Sequence, residues 1–243
     1  MKRLLLLFVF IPSLAMAQDY HPRTLDELIN TEEPGWELVM EWKNQGANQV
    51  EILERDSNRA AEALLQTQVT TRSPMGAIIY ETGGILIDHG WLRILGSGHP
   101  RLNRSLPTWN KGKTISRYGE QPSFLLVADD IAGGFFAINN GALGNDIGKM
   151  YYFAPDALQW EAMEISYSQF IWWAFNGDLD DYYANLRWKT WENDIKNLDG
   201  NQGLSFSPFL WLKHDDINNR SRKAVSVAEI WSLQQDMARQ LGQ

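Results

Sequence analysis

The sequence predicts an α+β fold, in which a mainly antiparallel central sheet is flanked by N- and C-terminal helices. Two observations indicate this fold. Helix-forming patterns occupy the first and last thirds of the chain, whereas the middle third consists of short β-prone runs divided by glycines. Helices that are segregated from strands along the chain are typical of α+β folds rather than of alternating βαβ folds.

The first seventeen residues have the pattern of a secretory signal peptide. Lys2 and Arg3 precede the apolar run 4–11, and Ala15-Met16-Ala17 is a small-x-small cleavage site. The apolar run is too short to span a bilayer, and no later stretch is long enough. We therefore expect cleavage after Ala17, a single α+β domain over 18–243, a periplasmic or secreted location, and no membrane anchor.

Three helices and one strand are predicted before residue 70. Thr24-Leu25-Asp26-Glu27 is a capping box that begins the first helix. A second helix ends near Gly46, and Asp56 or Ser57 caps the third. The apolar residues within 50–53 predict a short strand between the second and third helices.

The middle of the chain predicts a hairpin or meander, and the end predicts helices again. Strands are expected at 77–80, 84–87, 91–95, 124–128, 134–139 and 150–154. The segment 96–122 is rich in Gly, Pro, Ser, Asn and basic residues, which predicts a long loop. Later helices are expected at 167–175, 179–186, 188–198 and 227–241, with a Gly/Pro-rich stretch at 199–208.

The composition limits the classes of function. The chain has 22 Lys+Arg and 30 Asp+Glu residues, a net charge of −8, and loss of Lys2 and Arg3 on cleavage would make it −10. Because a site for phosphate backbones should be basic, we expect no nucleic-acid partner. The absence of cysteine excludes disulfides, thiolate metal sites and a cysteine nucleophile.

Motifs for metals and cofactors are also missing. The four histidines, His21, His89, His99 and His214, are too widely spaced to form a local zinc motif, so no metal is expected. No phosphate loop, dinucleotide-binding glycine pattern or nucleophile elbow is present, so no cofactor is expected.

Several motifs resemble those of one bacterial family. The strings TTRSPMGA at 70–77, HGWLRILG at 89–96, DDIAGGFFAIN at 129–139 and YYFAPD at 151–156 are similar to the domain-of-unknown-function family 2625. The resemblance covers roughly residues 24–215. It implies no established activity, and therefore no catalytic residues.

A more distant resemblance concerns two of the predicted strands. Residues 133–139, a glycine-rich turn and residues 148–153 resemble the central strand pair of the SUKH superfamily. That superfamily has an α+β fold and includes bacterial immunity proteins, which neutralise toxins by binding them. The resemblance implies a SUKH-like fold and a protein-binding, immunity-like role.

Two function classes follow. The first is a protein- or ligand-binding module whose partner is a protein or a cell-wall glycan. The alternative is a periplasmic hydrolase of glycan or cell-wall material that uses carboxylates such as Asp129, Asp130 or Asp178 in an aromatic cleft. Asp178 also fits the N-cap of a helix, and Asp88-His89 fits either a general-base pair or a turn.

The candidate binding residues lie on predicted loops and turns, where a rigid sheet holds functional side chains in many proteins. We predict that the 139–148 loop, with Trp109 or His99 nearby, forms part of the recognition surface. The full set of candidates is Asp129, Asp130, Asn139, Asn145, Asp146, His89, His99 and Trp109.

Overall fold

The structure, a computed structural model, describes residues 21–213 and 216–242. The predicted signal peptide, 1–17, and His214 lie outside the described residues. The helices are α1 (Leu25–Leu28), α2 (Gly35–Gln45), α3 (Ser57–Thr67), α4 (Pro74–Glu81), α5 (Leu106–Asn110), α6 (Tyr167–Asn176), α7 (Leu179–Tyr182), α8 (Trp191–Ile195) and α9 (Val227–Leu241). The strands are β1 (Val50–Leu53), β2 (Gly84–Ile87), β3 (Leu92–Leu95), β4 (Phe124–Asp130), β5 (Phe135–Asn139), β6 (Lys149–Ala154), β7 (Gln159–Ser166), β8 (Gln202–Ser207) and β9 (Ser221–Ser226).

The strands β1 to β7 form one antiparallel sheet in chain order, and β8 pairs with β9 in a separate two-stranded sheet. The predicted α+β class with a mainly antiparallel sheet is therefore confirmed. Because each strand neighbours the next one in the chain, the connections alternate between two ends of the sheet. We call the end with the β2–β3 and β4–β5 connections the carboxylate end, and the end with the β5–β6 connection the loop end.

Alternate residues of the sheet pack against different helices. Phe136 lies opposite Tyr152 and packs on Phe170 of α6, with ring centroids 4.9 Å apart. Phe135 lies on the other face, where its ring centroid is 4.9 Å from that of Trp231 of α9. Successive side chains of a strand point to opposite faces, so each face has its own aromatic layer.

One predicted strand is wrong, because residues 77–80 belong to helix α4. The Ser73 hydroxyl accepts a hydrogen bond from the Gly76 N–H at 3.1 Å, and Pro74 occupies the first turn, so a helix start is well defined. Ala77, Ile78 and Ile79 are all fully buried. A helix that is apolar all round and buried has the same sequence pattern as a buried strand.

The predicted long loop at 96–122 contains a helix as well. The Ser105 and Thr108 side chains form a capping box at the start of α5. Asn110, at the end of α5, is fully buried, and its side chain bonds both the N–H and the carbonyl of Leu126 in β4. These bonds attach the segment to the sheet.

The C-terminal third has more strand and less helix than predicted. Strands β7, β8 and β9 were not predicted, and β8 lies inside the Gly/Pro-rich stretch 199–208. The helices predicted at 179–186 and 188–198 shorten to α7 and α8, whereas α9 has the predicted bounds. Within the described ranges, no helix combines the length and the apolar character needed to cross a bilayer.

Candidate functional site

The candidate residues separate between the two ends of the sheet. His89 lies in the β2–β3 turn, and Asp129 and Asp130 end β4, so these three belong to the carboxylate end. Asn139, Asn145 and Asp146 belong to the loop end. The eight predicted residues therefore do not form one site.

Asp129 is a fully buried charge that two arginines neutralise. Its Oδ1 lies 2.6 Å from Arg93 Nη2, and its Oδ2 lies 2.5 Å from Arg104 Nη1. Arg93 stands opposite Asp129 in the β3–β4 register and is only 1% exposed. A buried carboxylate with two guanidinium partners contributes to the fold and is not accessible to a ligand.

Asp130, the next residue, points to the other face of the sheet. Its Oδ1 accepts a hydrogen bond from the Gly134 N–H at 2.8 Å, and its Oδ2 accepts one from the Tyr152 hydroxyl at 2.8 Å. Burial raises the pKa of the Asp130 carboxyl to about 6, although both hydrogen bonds oppose this shift. Gly134 leaves no room for a side chain, because a Cβ would lie 2.2 Å from Tyr152 Oη.

The two adjacent carboxylates do not form the acid pair of a hydrolase. They project from opposite faces of β4, as neighbouring residues of a strand do. Asp129 is 0% and Asp130 is 1% exposed, so neither meets a substrate without a rearrangement of the strand end. Asp178, the third carboxylate considered, caps α7, where its Oδ1 accepts from the Asp181 N–H at 2.9 Å.

Trp109 belongs to the carboxylate end rather than to the 139–148 loop. Its ring stacks on Phe135 with centroids 6.3 Å apart, and Phe135 is the residue of β5 farthest from that loop. The Arg104 guanidinium lies 4.6 Å and the Lys113 ammonium 3.8 Å from the Trp109 ring centroid. Burial lowers the pKa of Lys113, and the charge of Arg104 adds to that effect.

The two candidate histidines lie in separate local structures. His89 is exposed, and the positive φ angles of Asp88, His89 and Gly90, 52°, 57° and 86°, form the β2–β3 turn. The turn interpretation is therefore correct for this segment. The Nδ1 atom of His99 accepts a hydrogen bond from the Arg101 N–H at 3.1 Å. His99 packs beside Gly83, where β2 begins, and not against the 139–148 loop.

The 139–148 loop, here the Asn139 loop, is held by one buried amide side chain. Asn139 is 0% exposed, and its Oδ1 accepts hydrogen bonds from the N–H groups of Gly141 at 2.8 Å and Leu143 at 3.0 Å. Its Nδ2 donates to the Gly144 carbonyl at 2.9 Å and to Asp146 Oδ1 at 3.2 Å. The amide thus uses both donors and both acceptor positions to fix the loop.

Asp146 adds a second attachment. Its Oδ1 accepts a hydrogen bond from the Tyr151 hydroxyl at 2.5 Å. This bond lowers the pKa of the Asp146 carboxyl, and burial only partly offsets the effect. The same bond raises the pKa of the Tyr151 hydroxyl. Asp146 is therefore a support of the loop and not a free binding group.

Asn145 and Ile147 are among the side chains of the Asn139 loop that face solvent. Asn145 is exposed, and Ile147 is 67% exposed, more than any other large apolar side chain of the described residues. Sequence reasoning missed Ile147, because an isolated isoleucine between turn residues gives no signal of its exposure. The loop can thus present an amide and an apolar group from a fixed backbone.

Buried tryptophans belong to the core, and the described acidic residues form no metal cluster. Of the eleven tryptophans, five are buried: Trp91, Trp109, Trp188, Trp191 and Trp231. Among residues 21–213 and 216–242, no group of three His, Asp or Glu side chains is placed to hold a metal ion.

Comparisons with known proteins identify relatives but no activity. A 215-residue alignment is 44% identical to the putative uncharacterized protein YbfG of Escherichia coli K12, and covers 88% of this chain and 97% of that protein. An uncharacterized protein of Haemophilus influenzae Rd is 47% identical over 206 residues, which is 84% of this chain and 90% of that protein. No solved structure matches. The model of the family described as "Protein of unknown function DUF2625" matches residues 25–230, and the chain belongs to this family.

Proposed function

We propose that the protein is an exported binding protein that recognises a protein partner through the Asn139 loop. The observation that carries this proposal is the fixed display of Ile147, a β-branched apolar side chain held 67% exposed on a loop with internal hydrogen bonds. A loop that is ordered before binding loses little conformational entropy when it binds, which favours affinity. An exposed apolar group on this loop supplies area to bury.

The SUKH resemblance supports a protein partner over a cell-wall glycan. The residues that carry the resemblance are those of β5, the Asn139 loop and β6. Immunity proteins of that superfamily act by binding a toxin. Ile147 also favours a protein partner, because sugar-binding sites rely on aromatic platforms and hydrogen-bonding groups more than on isolated aliphatic side chains.

Export rests on the sequence of residues 1–17. A positive start, an apolar run and the Ala15-Met16-Ala17 site together support cleavage after Ala17 and a periplasmic or secreted protein. Intact-mass measurement of the protein from a periplasmic extract should give a chain that begins at Gln18. Full-length chain that begins at Met1 and remains in the cytoplasm would contradict export.

The alternative function is a periplasmic carboxylate-dependent hydrolase of glycan or cell-wall material. The raised pKa of Asp130 is the one observation in its favour, since a general acid at neutral pH needs such a pKa. The burial of Asp130 argues against this alternative, and so does the orientation of Asp129 toward the opposite face of the sheet. Release of reducing sugars or muropeptides from purified cell wall, abolished by Asp130→Asn in a folded protein, would establish this alternative.

The binding proposal is tested by capture with matched variants. Immobilised mature protein, residues 18–243, is incubated with periplasmic extract, and the retained proteins are identified by mass spectrometry. Asn145→Ala with Ile147→Ser alters only exposed side chains of the Asn139 loop. Leu212→Ser is the control, because Leu212 is 48% exposed and lies between β8 and β9, outside the loop.

We expect the wild type and the Leu212→Ser control to retain the same partner in equal amounts. The Asn145→Ala, Ile147→Ser variant should lose this partner. Thermal melts of all three proteins establish that they are folded. Equal retention by the loop variant, or equal loss with the control, would remove the Asn139 loop from the recognition surface.

A further inference from the structure

A small cavity at the carboxylate end has a lining that is unusual for this acidic protein. The cavity, here the basic pocket, has a volume of about 90 Å³ and lies between the β2–β3 hairpin and residues 195–200. Its charged and titratable lining consists of His89, Arg93, Arg101, Lys196 and Asp199. Four basic residues and one acidic residue meet here, although the whole chain has a net charge of −8.

Arg93 lies at the base of the basic pocket, and its guanidinium is incompletely paired. Nη1 donates to the Gln202 carbonyl, and Nη2 donates to the Asp130 carbonyl at 3.0 Å and contacts Asp129 at 2.6 Å. Nε has no acceptor within the described part of the chain, although Arg93 is only 1% exposed. A buried N–H without a partner is costly, and such groups are rare in folded proteins.

Two guanidinium groups share one carboxylate at this position. Asp129 serves both Arg93 and Arg104, so one carboxylate neutralises two guanidinium groups. The Asp130 carboxylate forms no ion pair with Arg93, because its oxygens bond Gly134 and Tyr152, but its charge also stabilises the Arg93 guanidinium.

The rim of the basic pocket has two exposed cations: Arg101 forms an ion pair, and Lys196 does not. Arg101 contacts Glu51 through Nη1 at 2.5 Å and Nη2 at 3.0 Å. Lys196 is exposed and takes part in no ion pair of residues 21–213 and 216–242. The carboxylate of Asp199 accepts hydrogen bonds from the backbone N–H and the side-chain amide of Asn201, at 2.7 and 2.6 Å. Asp199 is the one acidic side chain of the lining.

The remaining walls are apolar. Leu86, Ile131, Ile195 and Leu198 line the cavity, and Leu86 stands opposite Arg93 in the β2–β3 register. Apolar walls lower the local dielectric and strengthen the attraction between a bound anion and the basic groups. The volume has room for several water molecules, which is about the size of a carboxylate or phosphate group with a short apolar extension.

We propose that the basic pocket binds the anionic head group of a small organic acid. The head group, a carboxylate or a phosphate, lies between Lys196 and His89 above the buried Arg93, and its aliphatic part contacts Leu86 and Ile195. This site is distinct from the Asn139 loop, which lies at the other end of the sheet, and it goes beyond the proposed protein-binding function.

The test is isothermal titration of the mature protein with butyrate and with inorganic phosphate, at constant ionic strength maintained with sodium chloride. Butyramide, which has the same shape as butyrate but no charge, is the ligand control. Lys196→Gln removes the unpaired cation of the rim. Lys223→Gln removes an equal charge from an exposed position of β9 and is the matched protein control.

We expect saturable binding of butyrate, of phosphate or of both with a millimolar or tighter dissociation constant, and none of butyramide. Lys196→Gln should weaken the binding roughly threefold or more, whereas Lys223→Gln should leave it unchanged. Tighter butyrate binding identifies a carboxylate ligand, and tighter phosphate binding identifies a phosphorylated one.

Absence of saturation with both anions, or equal weakening by both lysine variants, would overturn the proposal. The outcome is separable from that of the protein-binding proposal, because the Asn145→Ala, Ile147→Ser variant should bind the anion normally. Loss of anion binding in that variant would also contradict a separate site.

Discussion

Each end of the sheet contains a hydrogen-bonded tyrosine–aspartate pair, and the two pairs differ in their burial. Tyr151 and Tyr152 are neighbours on β6 and project from opposite faces, and each hydroxyl donates a hydrogen bond to an aspartate. At the carboxylate end, burial dominates and raises the pKa of Asp130. At the loop end, the hydrogen bond dominates and lowers the pKa of Asp146. Exposure, and not the identity of the partner, decides the sign of the shift.

The same difference separates structural from recognition roles. The carboxylate end encloses its acids with Arg93, Arg104 and Tyr152, so these acids stabilise the fold. The loop end keeps its acid and its buried amide as supports, and presents Asn145 and Ile147 to solvent. Substitutions of the enclosed acids should therefore affect stability, and substitutions of Asn145 and Ile147 should affect binding alone.

The largest loss of unfolding free energy is expected for Asp129→Ala. It leaves two arginines without their carboxylate in a buried position, and breaking such a pair costs roughly 3–5 kcal/mol of unfolding free energy. Asp180→Ala is the control, because Asp180 pairs with Arg187 but its side chain is 87% exposed, so its loss should cost less than about 1 kcal/mol. Urea unfolding of both variants measures the difference. Equal losses of unfolding free energy would show that the buried ion pairs of Asp129 stabilise the protein no more than the exposed ion pair of Asp180.

The next effect is a pH dependence that Asp130 produces. Its folded pKa, about 6, is above its ordinary value of 3.8, so the folded protein binds this proton more tightly than the unfolded chain does. The contribution of Asp130 to stability is therefore greatest below pH 3.8 and decreases as the pH rises to 6 and above, by up to about 3 kcal/mol.

Other carboxylates change stability over the same range, so the informative quantity is the difference between the wild type and Asp130→Asn. Relative to this variant, the wild type should lose unfolding free energy between pH 4 and pH 7. A difference that is constant with pH would show that the Asp130 carboxyl is not shifted.

A smaller cost is expected for Asn139→Ala at the loop end. The substitution removes four hydrogen bonds, but the loop groups that it frees can bond to water, so the cost should be about 2 kcal/mol. Hydrogen exchange should accelerate at Gly141 and Leu143, whose N–H groups lose their acceptor. Unchanged exchange at both amides would mean that the side chain does not hold the loop.

The smallest effect on stability is expected for Asn145→Ala with Ile147→Ser. Both side chains are exposed, so the unfolding free energy should change by less than about 0.5 kcal/mol. Thermal melts of the variant and the wild type measure it. A loss of unfolding free energy comparable to that of Asn139→Ala would show that these residues stabilise the loop. It would contradict the assignment of Asn145 and Ile147 to recognition alone.

Local patterns predicted most of the sheet and the helix starts. The capping residues Thr24 and Asp56 and the short β-prone runs of β4 to β6 are local patterns, and these elements have nearly the predicted bounds. Helix α4 was missed because buried apolar runs have no period that separates helix from strand. Strand β7, one of the two edge strands, was missed because Glu161 and Glu164 interrupt its apolar pattern.

The site was harder to predict than the fold, because it depends on strand register. The sequence places Asp129 and Asp130 side by side, and strand geometry alone indicates that they face apart. That Arg93 stands opposite Asp129 follows from the pairing of β3 with β4 across the 28 residues of the connection, 96–123, and no local pattern specifies this pairing. The exposure of Ile147 likewise depends on the hydrogen bonds of Asn139, which only the structure reveals.

Photocrosslinking in intact cells tests the central claim, recognition through the Asn139 loop, most directly. Benzoylphenylalanine replaces Ile147 in one strain and Leu212 in a second, both at exposed apolar positions. A discrete adduct with one protein at position 147, and none at position 212, is the predicted result. Absence of an adduct at position 147 in a folded, exported protein, or the same adducts at both positions, would contradict the claim.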